Sequence, residues 1–385
     1  MAVPGWGFSV RAGSGRARTA LLVTARGQVQ TPVFMPVGTA GSIKSLLPQE
    51  VSGLGGEIVL ANTYHLLLRP GVEVVAELGG LHRFMDWPGP ILTDSGGYQV
   101  FSLAGFRQVD DEGVSFRSHL DGQLIRLTPE SVVEAQKLLG SDIMMMLDEC
   151  PPAGAGRNYV EQALQRDAQW ADRAHKARGE NGGAMFGIVQ GGVYKDLRAR
   201  SVELICGLDF EGYALGGLSV GEPKEVMMEV VADTVALLPQ DKPIYLMGVG
   251  APADLVACAG LGVDMFDCVM PTRMARNGTM LTARGRLNLR NSRYTRDSRP
   301  VEEGCGCLTC RRYCRAYLRH LFLSRELLAY RLGTIHNLYY IIGLMTGIRE
   351  AIAQDTYQEF ARDTLALLEE DDRENAALNH GGCNV

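Results

Sequence analysis

Short apolar runs recur along the chain, and each ends in a small cluster of Gly, Asp, Glu, Gln or Asn. They are EIVLANTYH, ILTDSGGYQ, DIMMMLDEC, MFGIVQGG, GYALGGLSVGE, IYLMGVG and MFDCVMPTR. Between them the apolar spacing becomes helical, as in TPESVVEAQKLLG, which opens on a cap-like Thr128 followed by Pro129, and in NYVEQALQRDAQWADRAHKA. Near-continuous apolar strands belong to a parallel sheet covered on both faces, and their alternation with helices predicts an α/β fold, a (β/α)8 TIM barrel with seven units visible. The polar strand ends of such a barrel share one mouth. Asn62, Asp94, Asp148, Gln190, Gly217, Gly248 and Asp267 would converge there. One Asp at a strand end is often only a helix cap, whereas a ring of three carboxylates and two amides is not explained by capping. Asp264 and Asp267 are three apart, so in a regular strand they point to opposite faces and only one reaches the mouth.

The glycine pairs at these strand ends leave main-chain amides and carbonyls bare, which suits a flat heterocycle lying against backbone. Ordinary tight turns, or a phosphate loop at GVGAPADL, would use the same residues. Neither G-x-x-x-x-G-K-[ST] nor a G-x-G-x-x-G after a strand occurs, so no nucleotide cofactor is implied.

Composition adds bounds. With 385 residues, 46% of them hydrophobic and 21% charged, the chain can bury a large core, and one barrel with insertions can occupy all of 1–385. Nine cysteines, an odd number, and no apolar leader point to the cytoplasm. No apolar run approaches the roughly 18 residues a membrane span needs. The net charge of -6 argues against a generally basic nucleic-acid binder, yet the stretch from Arg273 to Arg319 holds 12 arginines, no lysine and three carboxylates. Such a stretch suits phosphate-backbone binding. Within it, EEGCGCLTCRRYC brings Cys305, Cys307, Cys310 and Cys314 together. Four thiolates could hold a tetrahedral zinc, or the C-x-C-x2-C triplet could take its fourth ligand from a distant helix, with His336 as a candidate. A zinc-binding, arginine-rich subdomain is therefore expected over 279–340, inserted near the C-terminus. The acidic residues 370–385 read as a disordered tail with Cys383 a bystander.

In order along the chain, TDSGGYQVFSL, MLDEC, GIVQGG, GYALGGLSVGE, YLMGVG, MFDCVMPTRMARNG and CGCLTC with His336 resemble the bacterial-type tRNA-guanine transglycosylases, from about Thr31 to about Ala361. The resemblance implies exchange of guanine at the anticodon wobble position of G-U-N tRNAs (those for Asp, Asn, His and Tyr) for the 7-deazaguanine preQ1, in queuosine biosynthesis. By the same resemblance Asp267 is the nucleophile that forms a covalent ribosyl tRNA, and Asp94 the general acid/base. Asp94, Ser95, Tyr98, Asp148, Gln190, Gly217, Leu218 and Met247 would hold the base. Gly248, Val249, Gly250, Thr272, Arg273 and Arg276 would hold the RNA. Cys150 and Val220 mark the bacterial type, while Ser219 stands where many bacterial members have Ala.

The family also implies one structural zinc per subunit on Cys305, Cys307, Cys310 and His336, and a homodimer. Cys314 is left out, as a thiol packed on a helix with Leu318 and Leu321. Tyr313, Tyr317 and His320, read as one face of that helix, are the candidate dimer contact. His65 and His119 read as satisfied structural residues. Two rival classes remain: a barrel enzyme acting on a free phosphorylated metabolite, and a non-catalytic RNA-binding subunit. The intact Asp94 and Asp267 motifs disfavour the second.

Overall fold

A computed structural model describes residues 3–103, 107–152, 154–179 and 183–380. Parallel strands Val59–Ala61, Ile91–Thr93, Ile143–Met145, Ala184–Val189, Gly212–Leu215, Ile244–Leu246 and Met265–Asp267 lie side by side in chain order. The two ends of this sheet are Val33–Met35, paired with Met265–Asp267, and Val37–Gly38, paired with Val59–Ala61. They are one chain segment interrupted at Pro36, whose carbonyl still accepts from Leu60 N–H at 3.1 Å. The sheet therefore closes on itself as an eight-stranded barrel. The eighth strand was not visible in the sequence because a proline inside VFMPVG reads against a central strand.

Each strand is buried along its length, apart from Asp267 at the end of the last one, as the unbroken apolar runs require. The expected helices form as Pro129–Leu139 and Arg157–Arg178. The first starts on a Thr128 side chain accepting from Ser131 N–H, with Pro129 in its first turn, and stops at Gly140 in the left-handed region.

Three additions escape the strand–helix alternation. An antiparallel sheet of Gly7–Ser14, Ala17–Thr24 and Gly27–Thr31 precedes the barrel. From it the Arg18 guanidinium grips Asp264 through Nε (3.0 Å) and Nη2 (2.6 Å), and donates to the Lys242 carbonyl. Asp264 also accepts from Ile244 N–H, so it lies at the strand starts, away from the mouth. A second sheet, Arg107–Asp110, Gly113–Arg117 and Leu124–Leu127, is inserted after Gly97–Leu103. The third addition follows the last strand: helix Met270–Arg276, hairpin Thr279–Thr282/Gly285–Asn288, the single 3-10 turn Ser292–Tyr294, two short α-helices, and the long helix Leu327–Ala353.

Here the expected single helix over RRYCRAYLRHLFL is broken. Leu308–Arg312 ends at Tyr313 in extended backbone, and Arg315–Leu323 begins after Cys314, its N-terminal cap residue. Cys314 is half-buried, while Leu318 and Leu321 are buried. Tyr313 thus precedes the helix that carries Tyr317 and His320, although the Tyr313 and Tyr317 rings stack at 5.5 Å. The final helix, Tyr357–His380, runs through residues 370–380 that the sequence assigned to a disordered tail. Cys383 lies outside the described residues. No described helix is long and apolar enough to cross a membrane.

Candidate active site and metal centre

Asp94 stands one residue past the strand Ile91–Thr93 and is 7% exposed. Its Oδ1 accepts from Thr63 N–H at 2.9 Å, and its Oδ2 from the Gln99 amide at 2.8 Å and the Asn62 amide. These three donors favour the carboxylate, yet burial outweighs them. The Asp94 pKa is raised to about 6, with the Asp267 charge adding to the rise.

Asp148 lies past Ile143–Met145 and accepts from Ser95 Oγ at 3.2 Å and from Gln190 Nε2 at 2.7 Å. Burial raises it too, to about 6. Gly97 cannot be replaced here, because a Cβ would stand 2.6 Å from the Asp148 carbonyl. Because the Gln190 amide nitrogen serves Asp148, its buried Oε1 has no donor among the described residues. Gln190 also lies against Gly217, which has φ +66° and whose Cβ would meet Oε1 at 2.3 Å. Leu218 is buried behind this turn, Met247 is half-buried, and Tyr98 is 52% exposed.

Asp267 ends the last strand. Its Oδ1 accepts from Tyr245 Oη at 2.6 Å and Gly248 N–H at 2.8 Å, while burial pushes its pKa up. Of Asp264 and Asp267, only the second belongs to the mouth. Beyond it, Thr272 and Arg276 are linked by an Arg276 Nη1 bond to the Thr272 carbonyl, at 3.0 Å. Burial and the neighbouring Arg273 lower the Arg276 pKa. Arg273 itself is exposed, and Gly248, Val249 and Gly250 form the turn after the Ile244–Leu246 strand.

Sequence reasoning missed several members of this site. Tyr245 was in plain view within YLMGVG, but nothing in a strand pattern announces which tyrosine will meet a carboxylate. Gln99 reaches Asp94 from five positions further along the chain, whereas Thr63, next to Asn62, reaches it from the end of the neighbouring strand. Arg198 is 1% exposed and clamps three carbonyls, of Val189, Gly192 and Gly216, so that it fixes both glycine turns. Glu222 takes the N–H groups of Ser219 and Val220, holding Ser219 at φ +58° with its side chain exposed. Cys150 is buried, and its thiol is pushed up to about 12, so it stays neutral. His119 does find a partner, accepting or donating at 2.9 Å with Tyr64 Oη. Burial, His119 and Lys44 lower the pKa of His65.

At the metal centre, the ligand atoms of Cys305, Cys307, Cys310 and His336 all lie within 4.8 Å of one another. His336 Nδ1 is 3.9, 3.6 and 3.3 Å from the three sulfurs, and its Nε2 donates to the Leu281 carbonyl at 2.8 Å. That bond turns Nδ1 toward the thiols, the tautomer a metal needs. A tetrahedral zinc has edges of about 3.5–3.8 Å with such ligands, so the set fits. Cys307 is held low by the donors around it, the Cys305 and Cys310 thiols and the Cys310 N–H, which predisposes it to bind as thiolate. Cys314 is not in the cluster. The next residue, Asn337, accepts from Leu281 N–H and donates to the carbonyls of Pro271 and Thr279. Consecutive side chains therefore take both backbone groups of Leu281, one tied to the metal ligands and one to the helix that follows Asp267.

A closed parallel barrel with two buried carboxylates, a half-buried third and two arginines around its mouth, and a Cys3His cluster able to hold a metal, defines a TIM-barrel enzyme class with a C-terminal appendage. The chain matches the family model described as Queuine tRNA-ribosyltransferase over residues 13–370, starting within the N-terminal sheet and so earlier than the motifs alone showed. A protein named queuine tRNA-ribosyltransferase from Solidesulfovibrio magneticus is 54% identical over 365 residues, 94% of this chain and 98% of that protein. Like-named proteins from Nitratidesulfovibrio vulgaris (53% over 373 residues, 96% and 99%) and Pelotomaculum thermopropionicum (55% over 355 residues, 92% and 96%) are similar. The chain belongs to the queuine tRNA-ribosyltransferase family, the tRNA-guanine transglycosylases, which are pentosyltransferases of queuosine synthesis.

Proposed function

We propose that this protein exchanges guanine at the wobble position of G-U-N tRNAs for preQ1, through a covalent ribosyl ester on Asp267. The observation that carries this reading is the pairing of Asp94 and Asp267 at one mouth, in environments that assign them different work. Tyr245 and Gly248 hold Asp267 by one oxygen, which leaves Oδ2 to meet the sugar. Asp94 sits at about 6 and can carry a proton in either direction.

In the first half, Asp267 attacks C1′ while the C1′–N9 bond breaks, and Asp94 gives its proton to the departing guanine. In the second, Asp94 takes the N9 proton of preQ1, N9 attacks C1′, and Asp267 leaves as carboxylate. Two inversions retain configuration. Water must stay out, or the ester would hydrolyse to an abasic site.

Asp148 would accept from N1–H and the exocyclic amine, a pairing that adenine cannot offer. Ser95, Gln190, and the main chain of Gly217 and Leu218 complete the edge, and Tyr98 and Met247 enclose the faces. Buried Cys150 and half-buried Val220 suit the small aminomethyl base. Gly248, Val249, Gly250, Thr272, Arg273 and Arg276 would bind the anticodon strand. One zinc per subunit would be structural, filled by four protein ligands with no open position. A second copy would cover the stacked Tyr313 and Tyr317 with His320, since Tyr317 is 39% exposed. The reaction would take place in the cytoplasm.

The test is incorporation of labelled guanine and preQ1 into a G-U-N tRNA by wild type and Asp267→Ala. Incorporation by wild type alone, with a protein–tRNA band on a denaturing gel, supports the reading. Equal incorporation by the variant overturns the role of Asp267.

A further inference from the structure

Behind the base pocket, Asp148 is backed by two buried acids that the exchange reaction does not use. Asp148, Glu149 and Asp167 are 5%, 0% and 1% exposed. Glu149 is fully served: Arg166 Nε lies at 2.7 Å and Tyr159 Oη at 2.5 Å. Asp167, on the helix Arg157–Arg178, has no such partner. Among the described residues its Oδ1 accepts a single bond, from Glu149 N–H at 2.7 Å, and its buried Oδ2 has nothing to accept from. The adjacent cation, Arg166, is committed to Glu149.

A buried carboxylate with one hydrogen bond and two acidic neighbours is unfavourable as an anion. Burial and the Asp148 charge raise its pKa well above the usual range, with Glu149 adding to the rise and Arg166 opposing it. The remaining titratable group nearby, Cys150, is itself neutral. Asp167 is therefore disfavoured as an anion, and what it offers is geometric. Its one bond is made to the peptide that joins Asp148 to Glu149, so it sets where the Asp148 carboxylate stands.

We propose that Asp167 is a positioning residue for base selection: through the Glu149 amide it holds the Asp148 turn in place. This rests on the reading of Asp148 as the purine ligand. Its consequence is specific. Loss of Asp167 should loosen the heterocycle and leave the RNA strand, which is gripped on the other side of the mouth, untouched.

The experiment compares wild type, Asp148→Ala, Asp167→Asn and Asp167→Ala in guanine exchange, with KM for guanine, KM for tRNA and kcat measured between pH 5.5 and 9. Asp167→Asn keeps an acceptor for Glu149 N–H and should stay within about twofold of wild type, with the same pH profile. Asp167→Ala should raise KM for guanine about tenfold or more, with KM for tRNA within about twofold. An Asn variant as impaired as Ala, or with a displaced pH profile, would show that Asp167 acts as an anion and overturn the proposal. An Ala variant equal to wild type, or one with both KM values raised together, would overturn it as well. Asp148→Ala with an unchanged KM for guanine would instead sink the base-ligand reading, a separate failure.

Discussion

Asp94 and Asp267 reach the mouth from strands far apart in the chain, yet the charge of Asp267 is felt at Asp94 and reinforces the effect of burial there. An ionised Asp267 therefore disfavours ionisation of Asp94. Asp94 must be protonated to release guanine, so kcat/KM for tRNA should fall as pH rises past about 6. Asp94→Asn should remove that limb and lower exchange by about 10²–10⁴-fold. Steady-state rates across pH check both, and a limb that survives the substitution belongs to another group.

For Asp148 the sign is opposite. Its ionised form is the one that accepts from a purine, so KM for guanine should rise as pH falls below about 6. Titration of KM for guanine, with tRNA saturating, measures this directly.

Folding stability carries the imprint of Asp167. Its folded pKa lies above the unfolded value, so its burial penalty grows as pH climbs from the unfolded pKa through the folded one. Asp167→Asn removes that penalty. The variant should melt at a higher temperature than wild type at pH 8, and the difference should close toward pH 4. Thermal melts at both ends of the range decide it.

Arg273 is exposed beside the Asp267 loop. Arg273→Ala should raise KM for tRNA, reduce the slope of log affinity against log salt by about one, and leave KM for guanine unchanged. An unchanged salt slope would place the phosphate contact elsewhere.

His336→Ala should abolish bound metal, measured by elemental analysis, and lower the melting temperature. Exchange should fall about tenfold or more, because Asn337 next door loses its alignment with Pro271. Ser219→Gly, by contrast, relieves a left-handed backbone at a side chain that points to solvent. It should change stability by no more than about 1 kcal/mol in urea unfolding, with KM for preQ1 unaltered.

The barrel was legible because parallel strands covered on both sides leave unbroken apolar runs, and because their polar tips fall in one ring. Val33–Gly38 hid behind Pro36. The N-terminal sheet hid because its strands alternate irregularly and its key bond, Arg18 to Asp264, joins residues 246 positions apart. At the site, the motif residues could be named while their supports could not. Tyr245, Arg198 and Asp167 make contacts with residues up to 22 positions away, which no local pattern reveals. The break at Tyr313–Cys314 was missed because a helical spacing of apolar residues continues across it, and two extended residues leave no mark in that spacing.

His336 and Asn337 are neighbours on one helix, yet one serves the thiols and the other the loop behind the nucleophile. An oxidant that joined two of those sulfurs would never touch the barrel mouth. It would still disturb His336 and, with it, the neighbouring Asn337 bond to the Pro271 carbonyl behind the nucleophile.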